Sequence, residues 1–268
     1  MISPLASIHP NAQLGTNVTV DPFAVIQEHV VVGDGAHIMS HAVLMPHSRI
    51  GKGCNIFPGA VIGAIPQDLK FIGEETTAEI GDHTTIRECV TINRGTKDKW
   101  KTVVGSNCLL MAYSHVAHDC IVGNNVILAN GVQLAGHVEI GDWAIMSGLS
   151  GASQFTRIGA HTYIAGHTVV RKDVPPFIKA AREPMSYAGI NIVGLQRRKF
   201  SAEDIESISR IYHLLFVGNH PISSALKMIR EQIPDGTWKT TILSFVEGSK
   251  AGIIKRSSKN GVDEDQAF

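Results

Sequence analysis

The sequence is poor in cysteine. Cys54, Cys89, Cys108 and Cys120 are the only four in 268 residues, and no CxxC pair occurs among them. The opening, MISPLASIHPNAQLG, lacks a basic stretch followed by an apolar run, so no secretory signal is read there. Reduced thiols in a cytoplasmic protein are the expectation. No apolar stretch approaches the roughly 20 residues of a membrane span, so an integral membrane protein is not expected. An excess of charge is lacking too: 24 Lys+Arg face 24 Asp+Glu. A general nucleic-acid binder needs a basic surface, and this balance argues against one.

What the chain has instead is a six-residue beat. From Ile8 to Ile62, every sixth residue is a branched aliphatic. The beat drops at Asp68 and Glu74, resumes in phase at Ile80, Ile86 and Ile92, drops again at Asp98, and runs on from Val104 to Val170. A second beat lies over it, in which a glycine follows the aliphatic, mostly at 18-residue spacing (Gly15, Gly33, Gly51, Gly63, Gly81, Gly105, Gly123, Gly141 and Gly159). Period six is neither helical nor strand-like, and it is the signature of a parallel β-helix of hexapeptide repeats. Three short strands make one triangular coil, with the aliphatics stacked in columns inside. The glycines are expected at turns that need positive φ or tight passage. Cys54, Cys108 and Cys120 fall where the repeat wants a small residue, so packing is their expected role. Such a prism has flat faces and no cleft, so a ligand needs loops, an added domain or a neighbouring subunit.

The dropped beats mark insertions over 64–79 and 93–103, and loops on a rigid scaffold often carry function. The division expected is a β-helix over 1–190, a helical C-terminal domain over 191–256 and a polar tail over 257–268. In the helical part, Ser201 and Asp204 have the spacing of a capping box. Ile205, Ile208, Ile211, Leu214 and Leu215 form one apolar face. Pro221 opens a second helix, and TWKTTILSFVE reads as a third.

The 18-residue period stacks His137 on Asp119, Gly136 on His118, and Gln154 on Gly136. His118, Asp119, Gly136, His137 and Gln154 therefore share one edge of the prism. A histidine beside a carboxylate is a general-base arrangement, and a glycine N–H can approach an oxyanion closely. A solvated corner histidine is the plainer alternative, but here several polar groups converge. Zinc is a rival, because hexapeptide β-helices resembling the γ-class carbonic anhydrases hold a metal with three histidines. His115 and His118 are three apart, unlike that family's H-x-x-x-x-H, and His115 stacks on Gln133. No metal and no cofactor is expected.

IPQDLKF, GDHTTIRECVTINRGT, SHVAHDC, ILANGVQLAGHVEIGD and GINIVGLQRRKF together resemble the UDP-N-acetylglucosamine acyltransferase family of lipid A biosynthesis, from the first hexads to about residue 250. The resemblance implies a left-handed β-helix with a helical C-terminus, working as a homotrimer. It implies transfer of a 3-hydroxyacyl group from acyl carrier protein to the 3-hydroxyl of UDP-N-acetylglucosamine (UDP-GlcNAc). Carried over by motif, His118 is the base, Asp119 its orienter and Gly136 the oxyanion donor. Asp68, Lys70, His115, His137 and Gln154 contact substrate. Asn191, Arg197 and Arg198 hold the nucleotide, and Gly166 sets acyl length, leaving room for a long donor. Three positions depart from the family pattern: Ser153 and Asn93 replace histidines, and Val193 replaces a glutamate. An acetyl-CoA or N-acyl hexapeptide transferase and a non-catalytic β-helix scaffold remain as alternatives at this stage.

Overall fold

The computed structural model describes residues 1–256. Strands of two to four residues alternate with tight corners, and each strand pairs in parallel with the strand one coil further on. Ser7 pairs with Val25 and His115 with Gln133, which is the 18-residue step read from the hexads. Three sheets of nine, eight and eleven strands result, forming the three faces of a left-handed parallel β-helix. The hexad aliphatics fill its interior: Ile26, Leu44, Ile62, Ile92, Val116 and Leu134 are all essentially inaccessible. Cys54, Cys108 and Cys120 are buried free thiols in the same core, as expected of packing residues.

The glycines at 18-residue spacing answer only half of the expectation. Gly33, Gly81 and Gly105 have no positive φ. They are required by passage: a Cβ would meet the next coil's backbone at 2.8 Å at Gly33 and 2.6 Å at Gly81. The left-handed corners fall instead on other residues, including His29, His41, His47, His83, His137, His161 and His167. A corner histidine is therefore ordinary in this chain. His118, the residue before such a corner, is not one of them.

Both insertions leave from the same corner. The strand Val61–Ala64 is followed by the first and Thr91–Asn93 by the second, and the chain re-enters the next face at Thr77–Ile80 and Lys101–Val104. Asn93 donates to the Ile65 carbonyl at 3.2 Å and Arg94 stacks on Phe71 at 5.3 Å, so one insertion supports the other.

The last coil gives way to an antiparallel hairpin, Ile178–Ala181 with Ser186–Ile190, which the repeat did not foretell. Among the described residues four helices follow: α1 (Ile192–Arg197), α2 (Ala202–Tyr212), α3 (Ile222–Gln232) and α4 (Thr237–Glu247), with a π-helical turn at His213–Val217 after α2. Ser201 and Asp204 form the expected capping box, and Ile208, Ile211 and Leu215 are buried with Ile205 and Leu214 partly so. α1 and the π turn were not read from the sequence. Trp238 of α4 donates to Asp204 at 2.6 Å, tying α4 to the start of α2. No helix among the described residues is long and apolar enough to cross a membrane. The tail over 257–268 lies outside the described residues.

Candidate active site

His118 and Asp119 sit where the chain turns from the strand His115–Val116 to the next face. Asp119 is wholly buried and adopts φ 60°. A buried carboxylate must be hydrogen-bonded or give up its charge. Four donors converge on this one. The N–H groups of Thr96 and Lys99 reach Oδ1 at 3.0 and 3.2 Å, and the Thr96 hydroxyl and His118 Nδ1 reach Oδ2 at 2.7 and 2.8 Å. The Asp119 N–H in turn donates to the Thr102 hydroxyl at 2.8 Å. Burial pushes the Asp119 pKa up, but the bonds from His118, Thr96 and Lys99 outweigh it and hold the group below its ordinary value. An ionised carboxylate only accepts, so His118 Nδ1 is the donor in their bond, which leaves Nε2 as the ring nitrogen free of Asp119.

The next coil brings Gly136 over that imidazole. A Cβ at 136 would lie 2.7 Å from Nε2 of His118, so only glycine leaves the ring its place. The Gly136 N–H donates to no backbone carbonyl among the described residues, while its carbonyl accepts from Phe155 at 3.3 Å. His137 stands edge-on to His118 at 5.1 Å between ring centroids and is stacked on Phe155 at 4.5 Å. Burial pushes the His137 pKa down, against the carboxylates of Asp119 and Asp98. His115 is bonded through Nδ1 to the Thr91 hydroxyl at 2.7 Å, and burial pushes its pKa down as well.

His118, Asp119, Gly136 and His137 thus come together as the 18-residue stacking predicts, with exposed Gln154 one coil on. Asp68 and Lys70 lie in the first insertion at the same corner, where the Lys70 N–H donates to the Asp68 carboxylate at 3.0 Å. The remaining residues lie on the other two corners. Asn191 caps α1, accepting from Gly194 at 3.3 Å, and donates to the His161 carbonyl at 2.9 Å. Arg198 donates to the Trp143 carbonyl at 3.0 Å and lies over its ring, while Arg197 is exposed. Gly166 lines a groove of about 700 Å³ with Ala112, Tyr113, Asn130, Gly131, Gly148, Leu149 and His167.

Thr96, Asp98, Lys99 and Thr102 were missed by the sequence reading, which marked 93–103 as an insertion that could carry function but singled out none of its residues for the site. Of the three departures, Asn93 braces the first insertion. Ser153 pairs through its backbone with Val170 and is spatially beside the Gly136 edge, and Val193 is exposed on α1.

His118, Asp119 and His137 are the one group of His, Cys, Asp and Glu among the described residues whose ligand atoms all lie within 4.8 Å of one another. Both Asp119 oxygens already accept from two donors each, which leaves the group without an open carboxylate ligand for a metal.

The hexad prism, with a buried His–Asp pair at one corner, is that of a hexapeptide-repeat transferase, and the pattern described as bacterial transferase hexapeptide (six repeats) matches residues 29–64 and 101–136. A second pattern, UDP-N-acetylglucosamine O-acyltransferase domain 2, matches residues 173–254. An acyl-[acyl-carrier-protein]–UDP-N-acetylglucosamine O-acyltransferase of Janthinobacterium sp. is 48% identical over 260 residues, covering 95% of this chain and 99% of its own. The chain belongs to that acyltransferase family. Among solved structures, the UDP-N-acetylglucosamine acyltransferase of Bacteroides fragilis superposes with a TM-score of 0.94 at 50% identity, covering 95% of this chain and 100% of its own. That of Francisella novicida gives 0.94 at 36% identity, with 98% and 97% covered.

Proposed function

We propose that this enzyme transfers a 3-hydroxyacyl group from acyl carrier protein to the 3-hydroxyl of UDP-GlcNAc, the first step of lipid A biosynthesis, in the cytoplasm. The observation that carries the mechanism is the His118 imidazole, with Nδ1 committed to Asp119 and Nε2 on the ring edge packed against Gly136. Nε2 takes the proton of the sugar 3-hydroxyl as its oxygen attacks the thioester carbonyl. The Gly136 N–H stabilises the resulting oxyanion. Collapse breaks the C–S bond, and the carrier thiolate takes up the proton from Nε2. Asp119 stabilises the imidazolium in between. Asp68, Lys70, His115, His137 and Gln154 hold the sugar, and Asn191, Arg197 and Arg198 hold the nucleotide.

The working form is a homotrimer in this reading. Three sets of residues stand on three different corners of one chain, so a threefold neighbour is needed to join His118 to the groove of Gly166. The division into a β-helix over 1–190 and a helical unit over 191–256 belongs to the same reading. The test is turnover of UDP-GlcNAc with a 3-hydroxyacyl carrier protein. His118→Ala is expected to lose about 10²–10⁴-fold while remaining trimeric in sedimentation. Wild-type turnover by His118→Ala would overturn the mechanism, and full activity as a monomer would overturn the assembly.

A further inference from the structure

The second insertion supplies a residue that the reaction described above does not use. Asp98, which stands where the six-residue beat fails, places Oδ2 3.2 Å from Nδ1 of His137. We infer that Asp98 is a positioning residue that fixes the His137 ring and draws its proton to Nδ1, leaving Nε2 as an acceptor for a hydroxyl of the sugar substrate. The role toward substrate rests on the proposed reaction.

Three observations carry the assignment. The first is that the backbone at Asp98 is held in place, although the carboxylate itself is largely exposed. The Asp98 N–H donates to the Thr96 hydroxyl at 3.2 Å, and the neighbouring Lys99 is tied both to Asp119 through its N–H and to Glu139 through Nζ at 3.0 Å. The segment is thus a strap pinned to two successive coils, with Asp98 at its crossing.

The second is the competition for the His137 proton. Nε2 faces Asp119 Oδ2 at 3.7 Å, beyond hydrogen-bond reach, and that oxygen already accepts from Thr96 and His118. The Asp98 oxygen is nearer. A neutral imidazole has one N–H to give, and the nearer carboxylate oxygen favours Nδ1 as its place.

The third is that stacking alone leaves the ring undefined. Phe155 covers the His137 face at 4.5 Å and 22°, a contact indifferent to a half-turn of the ring. Asp98 selects between the two settings. The contact stands at ion-pair distance and is not aligned as a hydrogen bond in the free protein, a common state for site contacts before substrate binds.

The experiment uses full-length protein with ¹⁵N-labelled histidine, the His137 signals being assigned by comparison with His137→Gln. Imidazole ¹⁵N shifts report which nitrogen is protonated, and UDP-GlcNAc kinetics are measured on the same samples. Wild type is expected to show Nδ1–H. Asp98→Ala is expected to move the proton toward Nε2 and to raise the UDP-GlcNAc KM by about two- to fivefold, the scale of an exposed charge contact, with a smaller change in kcat. Asp98→Asn keeps an acceptor and is expected to restore most of both. Nε2–H in wild type, or an Asp98→Ala protein with unchanged ¹⁵N shifts and unchanged KM, would overturn the assignment. The spectra are recorded on resting protein, so an inactive wild type counts against the reaction and not against the ring setting.

Discussion

The place of a Cβ at position 136 is already occupied by His118: it would lie 2.6 Å from Cε1 and 2.7 Å from Nε2 of that ring. The glycine has no positive φ to excuse it, so its requirement comes from the histidine alone. Gly136→Ala is expected to push the imidazole off its setting and to reduce kcat at least tenfold, with little change in thermal stability. Near-normal kcat for this variant would mean that the ring can move without penalty.

Asp119 combines two roles. Asp119→Asn keeps the shape but turns one acceptor oxygen into a donor among four donors. The expected result is a fall in kcat smaller than that of His118→Ala, because the imidazole remains. A loss of stability of about 1–3 kcal/mol is expected with it, the scale of a buried group left without a partner. Denaturant unfolding checks the second part, and unchanged stability would mean that Thr96 and Lys99 find other acceptors.

The two arginines of the GLQRR segment separate by their surroundings. Arg197 is exposed in the last turn of α1, so Arg197→Ala is expected to raise the UDP-GlcNAc KM without moving the Tm. Arg198 also bonds and covers Trp143. Arg198→Ala is therefore expected to raise KM and lower the Tm together. Equal Tm values for the two variants would remove the structural part of the Arg198 role.

His161 gives the helical end a pH dependence. Burial, with the Arg198 charge, pushes its pKa from 6.5 down to about 4. In the unfolded chain this histidine takes up a proton as pH falls through 6.5, whereas in the folded chain it does so only near 4. The unfolded state binds more protons within that window, so stability from this group falls as pH drops from 6.5 to about 4 and levels off below. The Tm of His161→Phe, which keeps an aromatic against Phe177 and Phe200, is expected to fall less over the window than that of wild type. Parallel Tm curves would assign the slope to other groups.

Gly166 forms part of the floor of its groove. A Cβ there would stand 3.0 Å from the Gly148 carbonyl oxygen, tight but not closed to a side chain directed into the groove. Wild type is expected to prefer long 3-hydroxyacyl donors, and Gly166→Met to shift the preference to shorter ones. Assays with a series of donor lengths decide the point, and an unchanged profile would separate the groove from the acyl chain.

Much of this architecture was legible because the repeat is strict. A period that never slips between Val104 and Val170 assigns every residue to a coil and a corner, and so puts His118, Asp119, Gly136 and His137 together without a fold in hand. At the glycines the repeat left open which demand applies, and close passage to the next coil is the answer at Gly33, Gly81 and Gly105. The strap residues Thr96, Asp98 and Lys99 were illegible because an insertion has no register, and its contacts with Asp119, His137 and Glu139 jump 20 to 40 residues. The tie between Arg198 and Trp143, 55 residues apart, had no local signal either. The hairpin after Phe177 and the six residues of α1 are too short to show a period.

Because every strand of the prism bonds only to the strands one coil above and below, the molecule is close to a one-dimensional stack, like a pile of coins. Its cohesion is then a sum of neighbour terms along one axis, and its weakest places are its ends. At one end the helices and the hairpin act as a lid. At the other, Met1, Ile2 and Leu5 stand exposed on a coil with a neighbour on one side only. An inner coil has a neighbour on both sides, and the coil that carries His118 and Asp119 is one of these. The candidate site thus rests on two sets of neighbour terms, where an end coil has one.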